Sequence, residues 1–185
     1  MKPYQNQNSS KKKQIEKMFD SISFEYDKLN RLISAGNDVK WRKKIYKISK
    51  KLNPKTILDI ATGTADIAIE LSNINNSKII GLDISEKMLE VGRKKILNRN
   101  LNDKISLISG DAENLSFDDN EFDLITIGFG VRNFQNLKKG LEESFRVLKP
   151  AGSLIILETS VPENKFVKFF YLLFSRTAIP LIGSF

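Results

Sequence analysis

The sequence of 185 residues contains no cysteine and no histidine. The absence of cysteine excludes disulfide bonds and a catalytic thiol, and it gives no reason to expect an oxidising compartment. Without histidine or cysteine the chain cannot build a Ser-His-Asp triad or the usual zinc sites. Proton transfer must then depend on Asp, Glu, Tyr, Lys or ordered water, and no metal site is predicted.

The sequence also lacks a segment that is long and apolar enough to cross a bilayer. Its most apolar segment is Phe166–Phe185, which Lys168, Arg176 and Pro180 interrupt. The first ten residues are polar and lack the apolar core of a signal peptide. We therefore expect a cytoplasmic protein, with peripheral attachment at the inner face of the membrane as an open alternative.

Positive charge is concentrated in the first third of the chain. The formal net charge is +8, and residues 1–55 hold 15 Lys and Arg against 5 Asp and Glu, which gives this segment a charge of +10. Aromatic residues such as Phe19, Phe24 and Trp41 are interleaved with the basic residues. Such an arm can meet nucleic acid, an anionic membrane surface or an acidic substrate, and the alternative is a solvated helical face.

Short apolar strands alternate with helical patterns along most of the chain. Strands are predicted at 56–60, 78–82, 105–108, 122–128 and 153–158, and helices at 15–22, 38–52, 65–73, 85–98 and 136–148. This alternation predicts an α/β fold with a doubly wound, mainly parallel sheet that has helices on both faces. A single domain is expected, with a flexible N-terminus (1–13), a helical arm (14–55) and an α/β core (56–185).

Acidic and small residues follow the first three predicted strands. Asp59 and Gly63 lie at the end of the first strand, Asp83 at the end of the second, and Asp111 and Ala112 after the third. In a doubly wound sheet, ligands bind where the carboxyl ends of the strands open into a crevice. A nucleoside cofactor is therefore predicted there, with Asp83 accepting the ribose hydroxyls. The alternative is that the three aspartates only cap turns and helices.

The loop after the first strand distinguishes between nucleoside cofactors. A dinucleotide fingerprint needs three glycines because a pyrophosphate must approach bare backbone. The loop Ala61–Asp66 contains one glycine, so a nicotinamide dinucleotide is disfavoured.

Several segments give the sequence a specific resemblance to known enzymes. The segments Thr56–Asp66, Gly81–Ser85, Gly110–Phe117 and Arg146–Gly152 resemble those of the Rossmann-like class I S-adenosylmethionine-dependent methyltransferases. Three more, Met18–Asn30, Gly128–Asn133 and Ile179–Ser184, resemble the menaquinone/ubiquinone biosynthesis C-methyltransferase family, in particular its demethylmenaquinone methyltransferases. The resemblance implies S-adenosylmethionine as cofactor and C-methylation of demethylmenaquinol to menaquinol.

The resemblance also assigns residues to the two halves of the site. It implies that Thr64, Asp83, Asp111 and Ala112 contact the cofactor. The arm would lie on the substrate side. Family members continue past the Ile179–Ser184 segment with further strands, so we expect the C-terminal strands of the sheet to be missing from this chain.

The substrate implied by the resemblance is a prenylated quinol, with Tyr26, Arg132 and Asn133 facing it as catalytic residues. Arg132 would stabilise a phenolate or orient a water, since a guanidinium stays protonated, and Asn133 would hold a ring oxygen. In the alternative, Tyr26 packs the N-terminal helices and Arg132 pairs with a surface carboxylate. Peripheral membrane contact and a homodimer remain open.

Other functions remain compatible with the sequence. A methyltransferase of the same fold could act on another small molecule or on RNA, although no stacking-aromatic motif favours nucleic acid. A shortened chain could bind the cofactor with little activity.

Overall fold

The computed structural model describes residues 9–160. Predictions about residues 1–8 and about the apolar segment Phe166–Phe185, including the expected loss of C-terminal strands, lie outside the described residues.

The described chain consists of three N-terminal helices followed by alternating strands and helices. The elements are α1 (Lys11–Ile22), α2 (Tyr26–Ile33), α3 (Asn37–Leu52), β1 (Thr56–Ile60), α4 (Asp66–Leu71), β2 (Lys78–Asp83), α5 (Glu86–Leu97), β3 (Ile105–Ser109), β4 (Phe122–Gly128), a 3-10 turn (Val131–Asn133), α6 (Leu137–Val147) and β5 (Leu148–Leu157). This order confirms the predicted α/β alternation.

The N-terminal helices differ from the prediction at two points. Helix α1 begins at Lys11, inside the segment predicted to be flexible, because the Ser10 hydroxyl accepts a hydrogen bond from the backbone N–H of Lys13 and caps the helix. Helix α2 was not predicted. It has only eight residues, and no side chain caps its N-terminus, so it carries little of the usual sequence signal.

The five strands form one parallel sheet in the order β3-β2-β1-β4-β5. Strand β1 is central and pairs in parallel with both β2 and β4. The strand order reverses direction at β1, which places a topological switch point between β1 and β4. The predicted doubly wound parallel sheet is confirmed over the described residues.

Apolar side chains cover both faces of the sheet. On one face, Ile57 of β1 packs in a buried cluster with residues of α3, α4 and α5, whereas Leu58 of β1 joins a second cluster with Val147 of α6. Alternate residues of a strand point to opposite faces, so one strand contributes side chains to the apolar clusters on both faces. Within residues 9–160, no helix is long and apolar enough to span a membrane.

Candidate active site

A cavity of about 690 Å³, counting the part open to solvent, lies at the carboxyl ends of the strands. Its lining includes Gly63 after β1, Asp83 at the end of β2, Asp111 and Ala112 after β3, and Gly128 at the end of β4. Gly63 has a φ of +57°, a conformation that glycine adopts without strain. The sheet therefore brings together most of the residues predicted at separate strand ends.

Asp83 is held rigidly at the floor of this cavity. One carboxylate oxygen accepts the backbone N–H of Gly63 at 2.8 Å, and the other accepts that of Ser85 at 2.9 Å. Burial raises the pKa of the Asp83 carboxyl, and these N–H donors oppose the shift. Each carboxylate oxygen keeps a further lone pair. Asp83 can thus accept two hydroxyl groups in a fixed orientation.

Asp111 lies at another part of the same cavity. Its Oδ1 accepts the backbone N–H of Glu113 at 3.0 Å, and its Oδ2 lies 2.6 Å from the Lys12 ammonium of α1. Ile15 and Phe19 of the same helix also line the cavity. Helix α1 therefore forms one wall of the site. The sequence did not predict that Lys12 would be part of it.

Tyr26 and Asn133 complete the cavity on the side of the N-terminal helices. The Tyr26 ring packs edge-on against Phe19, with ring centroids 5.9 Å apart, and burial raises the pKa of its hydroxyl. The side-chain amide of Asn133 donates to the carbonyl oxygen of Phe129 at 3.4 Å. Phe129 lines the cavity as well. Both predicted substrate-side residues thus lie in the same cavity as Asp83.

Asp59 lies beneath the cavity and is not part of its lining. Its carboxylate is fully buried and accepts one hydroxyl from Thr62 and one from Thr126, each at 2.6 Å. Burial raises its pKa to about 6. Asp59 therefore connects the loop after β1 to strand β4. It was predicted to bind the cofactor, and in the structure it lies behind the residues that line the cavity.

The Thr64 side chain faces a group of charged residues outside the cavity lining. Its hydroxyl donates to Asp27 of α2 at 2.6 Å, and the Lys95 ammonium of α5 donates to it at 3.1 Å. Lys95 also pairs with Asp27 and with Asp66. These contacts tie α2 to the loop after β1. The Thr64 side chain does not line the cavity, and its predicted contact with the cofactor stays a prediction.

Arg132 also lies outside the cavity lining, and about half of its side chain is exposed. One guanidinium nitrogen lies 2.6 Å from Oε1 of Glu158, and the guanidinium stacks on the Phe129 ring at 5.6 Å. The alternative in which Arg132 pairs with a carboxylate therefore describes this structure. Glu158 and Phe129 were not predicted as site residues, although Glu158 lies directly after β5 and Asp83 is the last residue of β2.

The cavity residues fit a nucleoside with a polar tail. A Cβ added at Gly110 would lie 2.6 Å from Leu82, and one at Gly128 would lie 2.2 Å from Ile67. Side chains at these positions would crowd the surroundings of the cavity. Asp83 and Asp111 supply carboxylate acceptors, the kind of group that the hydroxyls and the amine of a nucleoside need. The volume and these groups together match the cofactor that the sequence predicts.

The sequence is similar to those of known methyltransferases. The model of the ubiE/COQ5 methyltransferase family matches residues 7–185. A demethylmenaquinone methyltransferase of Bacteroides fragilis is 45% identical over 184 residues, covering 99% of this chain and 75% of the relative, and one of Staphylococcus saprophyticus is 42% identical over 178 residues, covering 95% and 75%.

Solved structures of methyltransferases have the same fold. A putative S-adenosylmethionine-dependent methyltransferase of Methanococcus maripaludis is 25% identical with a TM-score of 0.64, covering 95% of this chain and 76% of that one. A SAM-dependent methyltransferase of Aquifex aeolicus is 26% identical with a TM-score of 0.57, covering 64% and 65%. The chain belongs to the ubiE/COQ5 methyltransferase family, and its cofactor is S-adenosylmethionine.

Proposed function

We propose that this enzyme methylates a ring carbon of a prenylated quinol, converting demethylmenaquinol to menaquinol. The observation that carries the proposal is one cavity that holds Asp83 and Asp111 together with Tyr26 and Asn133. Cofactor-binding groups and substrate-facing groups thus share one space, as a direct transfer between two bound molecules requires. The names and identities of the curated relatives support the choice of quinol.

The family resemblance and the positions of the residues in the cavity support the proposed roles. Asp83 accepts the ribose hydroxyls, Gly63 lets the backbone approach the cofactor, and Asp111 with Ala112 contacts the adenine. When bound, S-adenosylmethionine supplies an electrophilic methyl group on a sulfonium. The protein contributes alignment and the exclusion of water, for which α1 forms a wall of the cavity.

The substrate-side residues act on the quinol oxygens. Tyr26 and Asn133 each offer a hydrogen-bond donor in the cavity, and a donor near a ring oxygen stabilises the negative charge that develops there. Arg132 acts electrostatically, since a guanidinium stays protonated. It lies one residue from Asn133, and its guanidinium lies 5.6 Å from the centroid of the Phe129 ring, which lines the cavity.

We further propose that the N-terminal helices contact the membrane surface, because a prenylated quinol resides in the bilayer. Residues 1–55 carry a charge of +10, and within this segment Phe24 and Leu32 are 67% and 60% exposed. Basic residues beside exposed apolar side chains are typical of peripheral attachment to anionic lipid. Co-sedimentation with vesicles tests this contact.

The methylation is tested by incubating the 185-residue chain with methyl-labelled S-adenosylmethionine and a short-chain demethylnaphthoquinol that is kept reduced. We expect label on the naphthoquinol ring. The matched control is the same quinol already methylated at that carbon, which should accept no label. Label transferred instead to RNA in a parallel reaction, or no label on the quinol, would contradict the proposed substrate.

A further inference from the structure

Lys95 of α5 contacts three separate parts of the chain beside the cavity. Its ammonium donates to Asp27 of α2 at 2.8 Å and to the hydroxyl of Thr64, in the loop after β1, at 3.1 Å. It also pairs with Asp66, the first residue of α4. The Thr64 hydroxyl in turn donates to Asp27 at 2.6 Å. One ammonium therefore holds α2 against the loop that follows β1.

Helix α2 has few other contacts that fix its position. It has eight residues, none of them is buried, and no side chain caps its N-terminus. A helix of this length is marginal in isolation, so tertiary contacts must determine where it lies. Arg31 near its other end pairs with Asp38 of α3 at 3.4 Å, but about half of the Arg31 side chain is exposed, and water weakens such a pair. The contacts of Asp27 in the first turn are therefore the more restrictive ones.

Stability alone is a weak reason for a lysine at this position. The Lys95 side chain is only 19% exposed, so its ammonium gives up much of its hydration. A well-packed apolar side chain often stabilises a fold as well as a buried ion pair does. An ammonium has three donors, and Asp27, Thr64 and Asp66 use all three. Lys95 thus contributes a fixed direction to each of these neighbours.

The residues that precede two of these partners line the cavity. Tyr26 precedes Asp27, Gly63 precedes Thr64, and both belong to the cavity lining. A Cβ added at Gly63 would lie 3.9 Å from Cε1 of Tyr26, so the tyrosine ring lies beside the loop. The backbone N–H of Gly63 also donates to Asp83 at 2.8 Å. The contacts of Lys95 therefore set the position of Tyr26 relative to the cofactor loop.

We propose that Lys95 is a positioning residue for the methyl transfer, and that it acts by holding Tyr26 in place through Asp27. This inference rests on the proposed function, in which the Tyr26 hydroxyl acts on a quinol oxygen. Lys95 does not line the cavity and has no direct role in the chemistry. Without its ammonium, the first turn of α2 loses its link to α5, and Tyr26 moves with that turn.

The first test is Lys95→Met, which keeps the apolar stem of the side chain and removes its donors. The variant should fold, because Asp66 keeps its pair with Arg42 at 3.1 Å. We expect kcat/KM for the demethylnaphthoquinol to fall by about tenfold or more, since a displacement of about 1 Å can cost about 100-fold in rate. The Kd for S-adenosylmethionine should stay within about threefold of wild type, because Asp83 still binds the Gly63 N–H.

A matched control comes from the same helix. Lys87 lies at an exposed position of α5, and Lys87→Met should leave both kcat/KM and the cofactor Kd unchanged. A loss of cofactor affinity in Lys95→Met as large as its loss of kcat/KM would show a general disturbance of the site and would overturn the positioning role.

A double-mutant cycle with Tyr26→Phe separates positioning from a structural role. Tyr26→Phe keeps the ring and removes the hydroxyl that Lys95 is proposed to position. Adding Lys95→Met to Tyr26→Phe should lower kcat/KM by no more than about twofold, because residues that act as one unit are not additive. If Lys95→Met lowers kcat/KM by the same factor with and without the hydroxyl, Lys95 does not act through Tyr26.

Asp27→Asn is the second variant, and it decides if Lys95→Met does not fold. It removes the charge that links α2 to Lys95 and leaves the pair of Lys95 with Asp66. It should lower kcat/KM in the same way, and again only while the Tyr26 hydroxyl is present. Wild-type kcat/KM in the variant tested, or in Tyr26→Phe, would overturn the positioning role while the methylation stands. A wild-type chain that binds S-adenosylmethionine but leaves the quinol unmethylated would contradict the proposed function itself.

Discussion

At the scale of single residues, Asp59 illustrates how burial controls a carboxyl group near the site. The side chain is enclosed between Thr62 and Thr126, and burial raises its pKa to about 6. In the unfolded chain an aspartate titrates near 4. Between about pH 4 and pH 6 the folded state therefore binds more protons than the unfolded state. Linkage then requires the contribution of Asp59 to stability to fall as the pH rises through this range.

The substitution Asp59→Asn tests this linkage because it removes the titration and keeps the size of the side chain. Relative to the variant, wild type should lose about 2 kcal/mol of unfolding free energy between pH 4 and pH 6.5, from a pKa difference of about two units. Urea unfolding of both proteins across this range measures the difference. A stability difference that does not change with pH would show that the carboxyl group titrates normally.

The sequence predicts the position of a candidate residue well only where that residue lies at the end of a strand. Asp83 is the last residue of β2, and Asp111 lies two residues after β3, so a parallel sheet had to bring them together. Asp59 and Thr64 lie in the same loop region, yet their side chains turn toward Thr126 and Asp27. Those partners are more than 35 residues away in the sequence, and no local pattern indicates them.

At the scale of elements, helix α1 covers the cavity and also contacts residues of the α/β core. Lys12 pairs with Asp111, and Ile15 and Phe19 line the cavity. The Lys11 ammonium also donates to the carbonyl oxygen of Arg132 at 3.1 Å. A bound cofactor would therefore add contacts to α1, and the helix could leave the sheet only after those contacts are lost.

Limited trypsin digestion tests this coupling, because Lys11, Lys12 and Lys13 form the first turn of α1. Cleavage after these residues requires local opening, which a ligand opposes in proportion to its occupancy. At a cofactor concentration of about 100 Kd we expect this cleavage to slow by about tenfold or more. Cleavage after the exposed Lys51, at the end of α3, serves as the control and should change little. Equal rates with and without cofactor would exclude α1 as a cover.

The elements that sequence patterns predicted well are those with strong apolar periodicity. Strands β1 and β4 have the predicted bounds, whereas β5 begins at Leu148, five residues before its predicted start. Residues Lys149–Gly152 contain Pro and Gly and resemble a turn. In the structure, strand β5 passes through an irregularity opposite Phe122–Leu124, with Ala151 at a φ of +63°. Pairing with β4 overrides the local preference of the segment.

At the scale of the whole molecule, charge and exposed apolar surface coincide on the N-terminal helices. Vesicles of phosphatidylglycerol should therefore retain the protein, and those of phosphatidylcholine should not. Replacing Phe24 and Leu32 by serine should lower the bound fraction several-fold. Phe145→Ser is the matched control, since this side chain is 80% exposed on α6. Equal binding to both lipids, or equal binding by the Phe24/Leu32 variant and wild type, would contradict the proposed membrane contact.

The β/α alternation predicts the parallel sheet, but it does not predict which helices close the site. Two helices before β1 supply side chains to the cavity: α1 contributes Lys12 and Phe19, and α2 contributes Tyr26. The sequence predicts α1 from its helical spacing but not α2, and it leaves the docking position of both helices open. Tertiary contacts such as Thr64 with Asp27 determine where α2 lies. The cofactor half of the site was therefore more predictable than the substrate half.

The central claim is that the cavity binds S-adenosylmethionine through Asp83, and calorimetric titration tests it most directly. Wild type should bind the cofactor at one site, and Asp83→Asn should weaken binding by about 30-fold or more, equivalent to about 2 kcal/mol. Asp103→Asn, at an exposed position before β3, and Arg132→Ala should both keep the wild-type Kd. Wild-type affinity in Asp83→Asn would contradict the account.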